Sequence, residues 1–184
     1  PPALNSGETL PPLATSQIEG GAKLKLRRWQ GTAAFYRIRR PNQYVDQITM
    51  YATQNGLQEN RGVELTFAGD VTRNLHAIAS ASFIDARLRR TNGGLFDGKQ
   101  AAAVPSVVKR LNLDWDVPFI RGLVLNGTLL MTGSAPFDNA GSRRVPSWTR
   151  LDLGGRYTLG KERPVTVRVF VENATRNNYW VAVQ

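Results

Sequence analysis

Val165-Thr166-Val167-Arg168-Val169-Phe170-Val171-Glu172 is the stretch that decides the fold. Valines at every second position share one side of an extended strand, and Thr166, Arg168, Phe170 and Glu172 share the other. The same split recurs upstream. Leu151, Leu153 and Tyr157 oppose Arg150, Asp152 and Arg156, while Leu111, Leu113, Trp115 and Val117 oppose Arg110, Asn112, Asp114 and Asp116. Val63, Leu65 and Phe67 oppose Glu64 and Thr66, and near the start Ile18, Ala22, Leu24 and Leu26 oppose Gln17, Glu19, Lys23, Lys25 and Arg27. Segments 31–40, 74–86 and 121–133 also read as strands, the middle one less cleanly patterned. The class is all-β, with one apolar and one polar face.

These are about eight strands, mostly of about 9 to 13 residues, close to the roughly 9 to 11 tilted residues that cross a bilayer and longer than most strands of soluble sheets. Their connections alternate. Tight turns are expected at 28–30, 69–73, 118–122 and 160–164, and longer links at about 41–58, 88–105 and 134–146, rich in Gly, Asn, Asp and Pro. Short turns on one side and long loops on the other are the asymmetry of an outer-membrane barrel. A β-sandwich has no reason to keep it. The alternation also sets direction: 17–27 runs down into a short turn and 164–172 runs up, so 1–16 and 173–184 are both expected on the long-loop side. A closed bacterial barrel keeps both termini on the short-turn side, so the expectation is a partial barrel of about eight or nine consecutive strands, an open curved sheet if alone.

Composition narrows the alternatives. With 184 residues, 41% hydrophobic and no cysteine, the chain can fold but holds neither a disulfide framework nor a thiolate metal site. No stretch reaches the roughly 20 apolar residues of a membrane helix; the best, from Leu123 to Met131, is broken by Asn126, Gly127 and Thr128. A net charge of +10 raises nucleic acid as a partner. The basic residues, however, are spread over both strand ends and the polar face and form no single stripe interleaved with aromatics, so no nucleic acid is expected.

Five segments, in order along the chain, resemble the siderophore-receptor class of the TonB-dependent receptors. They are Gln17-Ile18-Glu19-Gly20-Gly21-Ala22-Lys23, Phe35-Tyr36-Arg37-Ile38 with Pro41-Asn42, and Asn60-Arg61-Gly62-Val63-Glu64-Leu65, which is the sharpest. Pro146 to Gly154 resembles a late descending strand, and Val171-Glu172-Asn173-Ala174-Thr175-Arg176-Asn177-Asn178-Tyr179-Trp180 resembles the last Asn-containing hairpin. The resemblance implies that residues 1–184 are part of an up-and-down transmembrane barrel of roughly 22 strands, with the plug domain and the TonB box outside these residues. It implies import of ferric siderophores across the Gram-negative outer membrane, energised through TonB, with no catalysed chemistry and no cofactor. Partners are then the ferric siderophore, the protein's own plug, the TonB complex, and outer-membrane lipid and lipopolysaccharide. The polar face would line the lumen, with Arg110, Asp114, Arg150, Asp152, Arg156, Arg168 and Glu172 among its residues. A passive porin is the runner-up, and a soluble carbohydrate-binding β-sandwich a more distant alternative.

Other residues have a bland reading beside the functional one. Trp29, Trp115, Trp148, Tyr157, Tyr179 and Trp180 stand near strand ends and are expected to form membrane-interface belts, although soluble sheets also carry aromatics there. Arginines at the long-loop end (Arg37, Arg39, Arg40, Arg87, Arg89, Arg90, Arg143, Arg144) would attract an anionic chelate, but Arg27, Arg28, Arg73, Arg121 and Arg163 crowd the other end too. Solvated rim charge, contact with lipid head-group phosphates or simple compositional bias accounts for both. His76 is the one histidine and is expected to be structural, without a metal. Asp114 and Asp116 share a face and suggest lumenal hydrogen bonding more than paired-carboxylate catalysis. Gly93-Gly94 and Asp97-Gly98 read as a loop tip, since no strand-turn-helix setting surrounds them.

Overall fold

A computed structural model of the chain, describing residues 2–160 and 162–181, turns this alternation into one antiparallel sheet of eight strands. Each long strand pairs with the next along the chain: β1 (Ser16–Lys25), β2 (Trp29–Val45), β3 (Ala52–Asp70), β4 (Leu75–Arg89), β5 (Val107–Asp116) and β6 (Leu123–Thr132). Two short strands, β7 (Ala135–Pro136) and β8 (Arg144–Val145), pair with each other inside the following link. The sheet resumes with β9 (Trp148–Leu159) and ends with β10 (Val165–Val171). No α-helix occurs among the described residues; Asn92–Gly94 forms a single 3₁₀ turn.

The register keeps the faces apart over the whole sheet. Opposed residues lie on the same side, so Gly31, Phe67, Ala79, Leu111, Leu129 and Leu151 form one continuous row across six strands. Rows above and below add Ile18, Phe35, Val63, Leu65, Leu113, Leu153 and the valines of β10. Many of these are fully open, Ile18 at 77% and Val169 at 66% exposure, and form an apolar surface of a size that soluble monomers avoid.

The pairing rows run obliquely to the line of short turns. One row contains Lys25, the last residue of β1, Gln30, the second of β2, and Ala68, the third from the end of β3. It continues through Ile78, the fourth of β4, Asn112, the fifth from the end of β5, and Thr128, the sixth of β6. It reaches Asp152, the eighth from the end of β9. Each strand therefore slides about one residue past its neighbour, and about 3.3 Å per residue against about 4.8 Å between strands gives a tilt of about 35–40°. Barrel strands lie in that range.

Two differences from the sequence expectation concern the links. Residues 41–58 are mostly strand, because β2 runs to Val45 and β3 starts at Ala52, with one irregularity between Asn42 and Tyr44. Polar residues fall on both faces there, as at adjacent Gln54 and Asn55, so pairing continues without alternation. The link 134–146 holds the β7–β8 hairpin, and 88–105 folds back so that Gln100 bridges Arg87. A buried apolar cluster lies at this end: Ala86, Leu88 and Ala101 are buried, with Ile84, Phe96 and Val104 against them. Residues 4–11 fold onto the β2–β3 tip, where Asn5 exchanges hydrogen bonds with Ala52 at 2.8 and 3.1 Å.

Candidate functional site

The polar face of the sheet and the link cluster at its long-loop end together form the candidate site. By register, Arg110, Asp114, Arg150, Asp152, Arg156 and Arg168 lie on this face, opposite in pleat to Leu111, Leu113, Leu151, Leu153 and Val167. Glu172 falls one residue past β10, where the chain leaves the strand.

There the chain bends over β9. Asn173 donates its backbone N–H to Asp152 Oδ1 at 2.9 Å, Ala174 donates to Leu151 O, and Asn177 Nδ2 donates to Thr149 O. Arg150 Nη2 donates to Asp152 Oδ2 at 2.9 Å, and Asp152, only 2% exposed, is satisfied on both oxygens. The Tyr179 ring stacks on Trp148 with centroids 4.3 Å apart and an interplanar angle of 15°. Buried Arg150 Nε has no protein partner among the described residues, and the same holds for Asn126 Oδ1. The expectation of a belt is therefore corrected for Trp148 and Tyr179, which pack on the polar face because the chain after β10 folds back over it. Trp29, Trp115 and Tyr157 do lie on the apolar face near the short turns, Trp29 against Phe67 at 4.7 Å.

Near the short turns of the polar face, His76 Nδ1 stands 2.5 Å from Asp70 Oδ1 and Nε2 3.8 Å from Asp116. Asp114 is directly opposite His76 in the register. Sequence spacing shows the Asp114–Asp116 pair but not Asp70, which the β3–β4 hairpin brings in.

At the other end, Phe137, Arg143, Arg144, Val145, Pro146, Trp180 and Val181 line an open cleft of about 590 Å³. Arg144 is anchored by hydrogen bonds to Ser134 and Gln100, and the two links are joined by Ala103 N–H donating to Pro136 O and Lys99 Nζ to Ala140 O. Within the first link, Thr91 donates both its N–H and its hydroxyl to Asp97 Oδ1, at 2.7 and 2.8 Å. Those bonds, the backbone one foremost, hold the Asp97 carboxyl below its ordinary range. Cleft and anchors join residues about 40 positions apart, which no spacing motif announces. The register also divides the long-loop-end arginines: Arg40 lies on the polar face, Arg37, Arg39, Arg87 and Arg89 on the apolar one.

A tilted, staggered antiparallel sheet with one apolar and one polar face defines a section of a membrane β-barrel. The family model described as TonB dependent receptor-like, beta-barrel, matches residues 1–174, and the chain belongs to that family of outer-membrane receptors. It is 33% identical over all 184 residues to the ferrichrome receptor FcuA of Yersinia enterocolitica, of which it spans 24%. The structure of BauA, the ferric preacinetobactin receptor of Acinetobacter baumannii, superposes with a TM-score of 0.85 at 32% identity, over 99% of this chain and 28% of that one. The siderophore receptor PiuA of Acinetobacter baumannii matches in fold, with a TM-score of 0.76 at 21% identity, over 91% of this chain and 25% of that one. The chain thus spans about a quarter of the length of these relatives.

Proposed function

We infer that this chain forms part of the barrel of a receptor that imports a ferric siderophore across the outer membrane, energised through the TonB complex. The observation that carries the reading is one-third identity across every residue of the chain to a protein described as a ferrichrome receptor. In this reading residues 1–184 all belong to the barrel domain, and plug and TonB complex are partners of the whole receptor. The apolar face meets lipid and lipopolysaccharide, and the protein is not an enzyme. The polar face lines the lumen, with Arg110, Asp114, Arg150, Asp152, Arg156, Arg168 and Glu172 as lining residues.

The links then face the medium, and the cleft of Phe137, Arg143, Arg144 and Trp180 is the candidate capture site. Aromatic surface and guanidinium groups together suit a flat, anionic metal chelate. The test is uptake of radiolabelled ferric chelates by cells whose only receptor is the full-length protein. Saturable uptake that requires TonB is expected, weakened about tenfold or more by a joint Arg143→Ala and Trp180→Ala change. Uptake that stays linear with concentration and indifferent to TonB would instead indicate a passive pore.

A further inference from the structure

Charged residues do not belong on the lipid side of a barrel, yet one compact group stands on the apolar face of this sheet. Glu59, with 6% of its side chain exposed, accepts from Arg37 Nε at 2.8 Å and Arg39 Nε at 3.0 Å, and Arg61 Nη2 reaches its other oxygen at 2.6 Å. The register places Arg61 between Arg37 and Asp85, and Glu59 between Arg39 and Arg87. Arg87 donates to Asp85 at 2.6 Å, and Lys109 lies on the same face of β5. Four arginines, Arg37, Arg39, Arg61 and Arg87, meet two carboxylates. The guanidinium groups are oriented by Glu59 yet half-exposed, with side-chain exposures of 41–56%.

Their height is informative. At a tilt near 40° each residue climbs about 2.5 Å, so Arg37, ninth in β2, and Arg61, tenth from the end of β3, stand about 20–25 Å above the short turns. An apolar barrel band is about 25 Å tall, so the group marks its upper edge. At the equivalent height elsewhere the face stays apolar, with Met131 ninth in β6 and Leu151 ninth from the end of β9. The charge is therefore local to β2–β5 and is not a general rim. Immediately below it, Phe35, Val63 and Phe83 line a shallow groove of about 480 Å³ whose upper wall is Arg37, Arg61 and Asp85.

We propose that this surface is a seat for one phosphorylated lipid of the outer leaflet, a glycolipid of the lipopolysaccharide class, with an acyl chain along Phe35, Val63 and Phe83 and a head-group phosphate on Arg37 and Arg61. Three guanidinium groups on one carboxylate leave positive charge unneutralised at the water–hydrocarbon boundary. A phosphate supplies the missing charge and accepts bidentate bonds, and the apolar groove takes the part of the ligand that a soluble phosphate lacks. The placement rests on the receptor reading above, because it requires the links to face the medium.

The test is native mass spectrometry of the full-length receptor in detergent, with lipid A and dephosphorylated lipid A as probes. Wild-type protein should retain lipid A at least about tenfold better than the dephosphorylated form, and Arg37→Gln with Arg61→Gln should remove that preference. Equal retention of the two lipids by wild-type protein overturns the proposal without any variant. So does displacement by inorganic phosphate, which would mark a soluble-anion site. Chelate uptake, measured in parallel, should be unchanged by the double substitution. A lipid preference that survives the double substitution overturns the proposal, whereas wild-type protein that prefers lipid A yet shows no TonB-dependent uptake would strike the import reading alone.

Discussion

At the scale of single residues, the pleat assigns neighbours to opposite solvents. Val167 and Arg168 are adjacent, yet their partners across the strand pair are Tyr157 on the apolar face and Arg156 on the polar one. Val167→Arg in the full-length receptor should cost about 2–4 kcal/mol if it falls near the bilayer midplane and impair assembly, whereas Arg168→Val should be milder. Equal yields of both variants in an assembly assay would reverse the facing. Asp152 gives a second case. Asp152→Asn leaves Arg150 without its carboxylate in a buried setting and should lower receptor stability by about 3 kcal/mol, read as an earlier denaturant midpoint. An unchanged midpoint would show that the pair is dispensable. Two glycines lie beneath rings on this face: a methyl group at Gly62 would collide with the Tyr36 ring, and one at Gly154 would come within 2.9 Å of Phe170. Each is opposite its aromatic in the register, a pairing in which the ring fills what glycine leaves empty.

At the scale of elements, the strands inside the apolar band were legible, and what lies above it was not. The Val165–Val171 and Leu111–Trp115 alternations exist because hydrocarbon on one side and water on the other impose period two. Between Arg39 and Gln58 polar residues occupy both faces, so the extensions of β2 and β3 left no pattern. The cleft between Phe137 and Trp180 and the Glu59 cluster are joined by register and loop folding, which composition does not encode. Side placement of the links is testable. Cysteines at the exposed positions Leu95 and Phe137 should take a membrane-impermeant label on intact cells, and one at Val71 only after permeabilisation. The opposite result inverts the sheet in the membrane. The 91–98 turn should also respond to acid. Its Asp97 carboxyl is held below the ordinary range, so the stability it contributes is present above about pH 3.9 and lost as pH falls through the lower folded value. A spin label at Leu95 should therefore gain mobility only in acid below that range, and Asp97→Asn should make it mobile throughout. A label that is equally mobile at all pH values would show that Asp97 does not order the turn.

At the scale of the whole molecule, the sheet has two unpartnered edges among the described residues, β1 and β10. In hydrocarbon each unsatisfied backbone group costs several kcal/mol, so residues 1–184 alone should not give a closed species in detergent. Gel mobility before and after heating is the measurement; a compact band that shifts on boiling would show that eight strands suffice. The oblique pairing rows have a further consequence for how such a wall can change over evolutionary time. Every hairpin from β1 to β6 repeats one slope and one inside-out assignment, so each is an interchangeable module. Duplicating or deleting a hairpin leaves the remaining strands facing the same solvents at the same pitch and alters only the circumference, whereas gaining or losing one strand reverses the polarity of everything after it.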